Sequence, residues 1–127
     1  YSVTDACGNS INLTQVITIN DDIAPTASNP VSISVECLSD VPAVDISIIT
    51  DAADNCSIPV VAFVSETSDG NTCPITITRT YSVTDDCNNS ILLIHIITVN
   101  DTQVPTATSP ADISVECSSA VPAPDIS

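Results

Sequence analysis

The 127-residue chain carries 16 aspartate and glutamate residues against a single lysine or arginine, and its formal charge at pH 7 is −15. A chain with so few cationic groups cannot neutralise phosphates, which excludes nucleic acid as a partner. Binding to an anionic membrane surface is disfavoured for the same reason, and the sequence has no run of about 18 apolar residues that would predict membrane insertion of this segment. The hydrophobic fraction of 43% argues against a disordered chain.

The sequence repeats itself with an offset of 80 residues. Residues 1–5 recur as 81–85, residues 33–37 recur as 113–117, and 30 of the 47 positions aligned at this offset are identical. A unit of this length is within the size range of one small domain. We therefore expect the last strands of one unit, one complete unit and the first strands of a third, at residues 1–21, 22–100 and 101–127.

In chain order, the complete unit is predicted to consist of short strands. The clearest is 75–84, where apolar residues alternate with threonine and serine in the period-2 pattern of a half-buried strand. Apolar runs separated by turn-forming residues predict four more strands, at 31–36, 44–50, 60–66 and 91–99. No segment has the periodicity of a helix, so we expect an all-β fold of tandem immunoglobulin-like β-sandwich repeats. The short, proline-containing linkers 20–25 and 100–105 predict a semi-rigid rod.

The complete unit contains four cysteines, with no histidine near them and no Cys-x-x-Cys pair, and this pattern predicts disulfides rather than a zinc site. If successive strands run antiparallel, Cys37 and Cys73 reach one end of the unit, while Cys56 and Cys87 reach the other. The predicted bridges are therefore Cys37–Cys73 and Cys56–Cys87. Disulfides persist in oxidising compartments, so the pattern predicts a secreted, extracellular protein.

Acidic residues concentrate in the turns and the linker that this strand arrangement brings to the Cys56 end. Carboxylate and amide oxygens would meet there, and these are the ligands that Ca²⁺ binds in extracellular modules. The candidate ligands are Asp21, Asp22, Asp51, Asp54, Asp85 and Asp86, with Asp101 at the next junction. The alternative is that aspartate and asparagine occupy these turns because their side chains form local turn hydrogen bonds. No loop has the spacing of an EF-hand, so both interpretations stay open.

Arg79 is the one side chain with a fixed positive charge, and it lies on the same strand face as Ile77 and Tyr81. An arginine within an apolar stripe predicts a buried or half-buried ion pair with a structural role. Glu66, at the end of the preceding strand, is the expected partner, and Glu36 is the second candidate.

The run 91–99 is apolar on both faces, which a sandwich with a single core does not require. One of these faces consists of Leu92, Ile94 and Ile96. The corresponding residues of the earlier copy are Asn12, Thr14 and Val16. Lateral packing between identical chains in a fibre would cover this face. A bulge that shifts the inward phase of the strand is the alternative.

The order of these motifs resembles a known family. The segments VEC at 35–37, TDAADNCS at 50–57, CPITITRTYSVTDDCNNS at 73–90 and ITVNDTQVPT at 97–106 are similar, in this order, to hyalin-type (HYR-like) repeats. Such repeats occur in very large surface adhesins of gliding and biofilm-forming Bacteroidota. The resemblance implies an immunoglobulin-like fold, secretion and an adhesive or structural role.

Nothing in the sequence predicts catalysis, since it has no lysine, no histidine in a predicted loop and no unpaired cysteine in the complete unit. The single histidine, His95, takes the place of Gln15 in the other copy, which argues against a catalytic role. We therefore expect a non-enzymatic structural or adhesive repeat of an extracellular fibre or filament, whose partners are neighbouring repeats and identical chains. The alternative is a calcium-dependent glycan-binding module that uses the acidic loops.

Overall fold

The structure is a computed structural model that describes residues 1–124, so the last three residues of the predicted third unit, 125–127, lie outside the described residues. It contains six strands: β1 Ser2–Thr4, β2 Ser10–Asn12, β3 Ile33–Val35, β4 Val60–Ser68, β5 Ile75–Thr84 and β6 Ser90–Val99. Three short 3-10 turns accompany them, at Leu38–Asp40, Ile46–Ile48 and Ser118–Ala120. The fold over 1–124 is all-β, which confirms the predicted class and is consistent with an immunoglobulin-like sandwich. Over the same residues, no helix is long and apolar enough to cross a bilayer.

The complete unit is built on one four-stranded sheet of order β3-β6-β5-β4. The three long runs are rich in β-branched residues, which favour strands. β5 pairs antiparallel with both β4 and β6, because short turns join these consecutive strands. β3 pairs parallel with the end of β6. The preceding unit contributes the hairpin of β1 and β2, in which Ser2 lies opposite Asn12. The same register places Ser82 opposite Leu92 in the complete unit, 80 residues later.

The direction of the strands distinguishes the two ends of the sheet. The upper end contains the turn between β5 and β6, and the lower end is where β5 begins while β3 and β6 finish. Three residues lie side by side across the sheet at the lower end: Val35, Val99 and Ile75. Their counterparts at the upper end are Val60, Thr84 and Ser90.

The core lies on the inward face of this sheet, and a polar layer divides it into two apolar clusters. The buried members of the upper cluster are Ile49, Tyr81, Val83 and Leu93. Those of the lower cluster are Ile77, Ile97 and Val99. Between the clusters, Arg79 and His95 lie opposite each other on β5 and β6 and are only 4% and 5% exposed. The layer that covers this face is irregular backbone, from which Ile49 and the fully buried Pro25 pack inward.

The prediction of a strand at 44–50 is wrong. The segment contains the 3-10 turn Ile46–Ile48, and its N-cap residue Asp45 accepts the backbone N–H of Ser47 through its side chain at 2.8 Å. A side chain that bonds its own local backbone offers an alternative to strand pairing. β3, and not this segment, pairs with the side of β6 that faces away from β5.

The other predicted strands are present. The first is shorter than predicted, since 31–36 is reduced to Ile33–Val35. β6 pairs with β5 through ten consecutive positions without interruption, so a bulge in this strand does not occur. The register shift of the sheet is instead in β4, between Phe63 and Ser65.

Candidate metal centre and cysteine pairs

Three aspartates meet at the upper end of the sheet, and we call them the aspartate cluster. Asp21 comes from the entering linker, Asp54 from the turn before β4, and Asp85 from the turn between β5 and β6. One carboxylate oxygen of each lies within 4.8 Å of the others. The linker and both turns therefore converge on one point.

Two members of the cluster are fixed by the turns to which they belong. Oδ1 of Asp85, a residue only 6% exposed, accepts the backbone N–H of Cys87 at 2.9 Å and of Asn89 at 2.8 Å. Oδ2 of Asp54 accepts the backbone N–H of Cys56 at 2.9 Å. Aspartate favours turns because its side chain can bond the backbone a few residues further on, and here that preference holds both carboxylates in place.

The second oxygen of Asp54, Oδ1, is buried and has no hydrogen-bond partner. The bond from the Cys56 N–H lowers the pKa of the Asp54 carboxyl, so this group is ionised at neutral pH. A buried anionic oxygen without a donor is costly, and the two neighbouring carboxylates add like-charge repulsion. Arg79, the one arginine or lysine of the chain, is paired elsewhere. The cluster therefore fits a hard cation with oxygen ligands, such as Ca²⁺.

Two asparagines attach the linker to this site. Nδ2 of Asn55 donates to Asp21 Oδ1 at 3.3 Å, and Nδ2 of Asn89 donates to the Asp21 carbonyl at 3.0 Å. Amides at this end are expected from the sequence, but their contact with the linker is not. Each asparagine lies close to a cysteine in its turn, one position before Cys56 and two positions after Cys87, and this proximity is the signal that could have identified them.

Three other predicted ligands at this end do not join the cluster. Asp51 uses both oxygens to accept the backbone N–H of Ser28, at 3.2 and 3.0 Å. Asp22 and Asp86 are exposed and outside the group of converging carboxylates. The candidate metal centre therefore has fewer aspartate ligands than the sequence predicts.

Asp101, the seventh predicted ligand, lies at the lower end. Its Oδ1 accepts the backbone N–H of Gln103 at 2.8 Å, and its carbonyl is 3.9 Å from Sγ of Cys73. Asp101 is the equivalent of Asp21 in the next repeat. The same residue thus contacts the lower end of one unit and corresponds to a cluster ligand of the following unit.

All six cysteines are free thiols in this structure. Cys37 and Cys73 line one cavity at the lower end of the sheet. Cys56 and Cys87 lie in the two turns of the aspartate cluster, at the upper end. The strand directions therefore bring the two members of each predicted pair to the same end, where the described residues contain no S–S bond.

The remaining predicted site residues occupy distinct places. Nε of Arg79 donates to Oε2 of Glu66 at 2.6 Å. Glu36, the second candidate partner, instead accepts the backbone N–H and the hydroxyl of Thr102, at 2.9 and 3.0 Å. On the sheet face away from the core lie the three residues of the predicted lateral contact, Leu92, Ile94 and Ile96.

A family model described as a HYR-like domain with 4 cysteines matches residues 25–99. The match lies within the predicted complete unit and contains four cysteines, Cys37, Cys56, Cys73 and Cys87. A search of curated proteins and a search of solved structures found no match. Because the family match covers more than half of the chain, on an all-β framework with cysteines at both ends of its sheet, the chain belongs to the family of HYR-like domains with 4 cysteines.

Proposed function

We propose that the chain is a structural and adhesive tandem repeat of an extracellular fibre, in which it supplies length, stiffness and surface attachment. Membership of the HYR-like family supports an extracellular, adhesion-type repeat. The observation that carries the proposal is that the linker on each side of the complete unit is hydrogen-bonded to that unit.

The linkers are held at both ends of the sheet. The entering linker is bonded at the aspartate cluster. At the lower end, the N–H of Asn100 donates to the carbonyl of Val35 at 2.9 Å, and the Glu36 carboxylate accepts the N–H of Thr102 at 2.9 Å. Backbone that is fixed on both sides leaves tandem units little freedom to bend where they join. This restriction is the property that a long fibre needs.

The proposal includes two disulfide bridges, Cys37–Cys73 and Cys56–Cys87. They are supported by the position of each pair at one end of the sheet and by the small size of the core, in which seven hydrophobic residues of the described chain are buried. The partners are separated by 36 and 31 positions. Closing loops of this length contributes roughly 3 to 4 kcal/mol per bridge on the chain-entropy account.

The proposal also includes Ca²⁺ at the aspartate cluster. Its support is the unpartnered Oδ1 of Asp54 beside two further carboxylates. Since Asp21 belongs to the linker while Asp54 and Asp85 belong to separate turns, an ion at this point would connect three segments of chain. Removal of the ion is then expected to loosen the junction and to leave the sheet folded.

Small-angle X-ray scattering of the native multi-repeat chain tests this function. In Ca²⁺ we expect an extended particle whose maximum dimension grows in proportion to the number of units. After chelation, the persistence length should fall while the dimensions of each unit stay the same. A compact particle with reduced thiols would contradict the proposal.

A calcium-dependent glycan-binding module is the second candidate. It is favoured by a cavity of about 280 Å³ beside the cluster, lined in part by Asp54 and Asn55. A glycan array probed with and without chelator separates the two functions. Calcium-dependent binding that Asp54→Asn abolishes would support the module, and the absence of binding would leave the structural role.

A further inference from the structure

The outer face of the sheet, formed by the side chains of β4, β5 and β6 that point away from the core, has no charged residue. These three strands contain three charged or imidazole side chains, and all of them lie on the inward face: Glu66, Arg79 and His95. On β5, the outer positions are occupied by a row of hydroxyl side chains, Thr76, Thr78, Thr80, Ser82 and Thr84. The outer face is therefore neutral in a chain that carries 16 acidic residues.

Along β6, the outer face is apolar and open to solvent. Leu92 is 64% exposed, Ile94 is 38% exposed and Ile96 is half-buried. Because β6 pairs with β5 without a register shift, these three side chains point in the same direction. They form a continuous apolar stripe beside the hydroxyl row.

The fold does not require this stripe. In the preceding copy, β1 and β2 form the same hairpin in the same register, and Asn12 lies there at the place of Leu92. The place of Ile94 is taken by Thr14, which follows β2. Exposed leucine and isoleucine at places where a polar residue is compatible with the fold indicate a surface that contacts something.

We propose that this face packs against the same face of a second copy of the chain, which joins neighbouring chains side by side in the fibre. The absence of charge on the outer face favours a second copy of the chain as the partner. Two copies that each carry a formal charge of −15 repel each other, and this repulsion is least where a surface without carboxylates is in contact. The inference rests on the proposed fibre function and names the partner of the fibre-forming unit.

The size of the face sets the strength of this contact. Three strands of ten residues or fewer cover about 34 by 14 Å, or roughly 480 Å² per partner. Stable interfaces bury about 800 Å² per partner, so a contact through one unit is expected to be weak. In a tandem array, successive contacts are linked through the chain and their effects accumulate.

Sedimentation velocity of the native chain over a range of concentrations and salt tests the proposal. We expect weak self-association that strengthens as NaCl is raised from about 0.02 to about 0.5 M, because salt screens the repulsion between the two acidic chains. The double variant Leu92→Asn with Ile94→Thr places the residues of the preceding copy on the stripe. It should lower the association constant at least tenfold and leave the circular dichroism spectrum unchanged.

Ile58→Asn is the matched control, because Ile58 is 90% exposed and lies outside the outer face. It should associate as strongly as the native chain. Equal weakening by both variants, or a native chain that stays monomeric in all conditions, would overturn the proposal. Binding to phosphatidylcholine vesicles by a chain that stays monomeric would instead assign the stripe to a lipid surface. Scattering from the covalent array reports its stiffness separately, so failure of this contact and failure of the proposed function are distinguishable.

Discussion

Arg79 and Glu66 lie opposite each other on β5 and β4, and Nε of the arginine donates to Oε2 of the glutamate at 2.6 Å. The arginine side chain is 5% exposed and the glutamate side chain 43% exposed. Nη2 of Arg79 also donates to the carbonyl of Pro42 at 2.8 Å. One guanidinium thus links the sheet to the irregular layer that covers it.

The first prediction concerns this ion pair. Glu66→Ala should lower the free energy of unfolding by about 1 to 2 kcal/mol, because it removes a charge-assisted bond from a buried guanidinium whose partner is partly screened by water. Urea denaturation of this variant, of Arg79→Met and of the double variant forms a cycle that isolates the coupling energy. A coupling energy near zero would contradict a stabilising role for the pair.

The second prediction concerns the buried histidine. Burial lowers the pKa of His95, and the neighbouring Arg79 guanidinium lowers it further, from an ordinary value of 6.5. Below this value the unfolded chain takes up a proton that the folded chain resists. The unfolded state then binds more protons, so the free energy of unfolding falls as the pH drops below 6.5.

His95→Gln places in β6 the residue that the other copy has at Gln15. Urea denaturation at intervals between about pH 7 and pH 5 measures the effect, in a range above that in which most carboxyls titrate. The native chain should lose stability across this window, and the variant should lose markedly less. Identical pH profiles for the two proteins would rule out His95 as the source.

The third prediction separates the two cysteine pairs. A non-reducing peptide map of the native protein should recover one peptide pair joined through Cys37 and Cys73 and another joined through Cys56 and Cys87. Cys56→Ser should weaken Ca²⁺ binding, since Cys56 lies in a turn of the aspartate cluster, while Cys37→Ser should not. Crossed pairs in the map, or equal loss of Ca²⁺ affinity in the two variants, would contradict this assignment.

The fourth prediction addresses the metal. Asp54→Asn keeps an acceptor for the Cys56 N–H but removes the charge, so Ca²⁺ affinity measured by titration calorimetry should fall at least about tenfold, or about 1.4 kcal/mol. Without Ca²⁺, the variant should be at least as stable as the native chain, because repulsion within the cluster is relieved. Asp51→Asn is the control, since Asp51 bonds Ser28 outside the cluster. A native chain that binds no Ca²⁺ would remove the metal from the proposed function.

The sequence predicts the long strands well, because β5 alternates over ten residues and β6 is a continuous run rich in isoleucine and leucine, and one face of each is buried. It does not predict the fate of 44–50, which alternates just as clearly. The difference is that the side chain of Asp45 accepts the N–H of Ser47, which fixes a local turn within this segment. Strand pairing depends on which run reaches an edge, and this is a property of the whole fold.

The sequence predicts where the candidate metal centre lies, but it predicts more aspartate ligands than the structure brings together. Strand direction brings the linker and the two turns together, and this follows from the order of the strands. Which of two adjacent aspartates faces inward depends on the phase of a turn, and a shift of one residue reverses it. Asp85 is buried while Asp86 is exposed. The other copy keeps the first as Asp5 and has Ala6 at the second, and this comparison is the signal that could have separated them.

The parallel pairing of β3 with β6 has a mechanical consequence. β3 is the first strand of the complete unit and β6 is the last. In the proposed tandem array, tension would pull the start of β3 and the end of β6 in opposite directions, along the strands themselves. The hydrogen bonds between them are then loaded together in shear, whereas those of a hairpin pulled apart from its open end break one after another. Each unit is therefore expected to resist stretching up to a threshold load and then to yield abruptly.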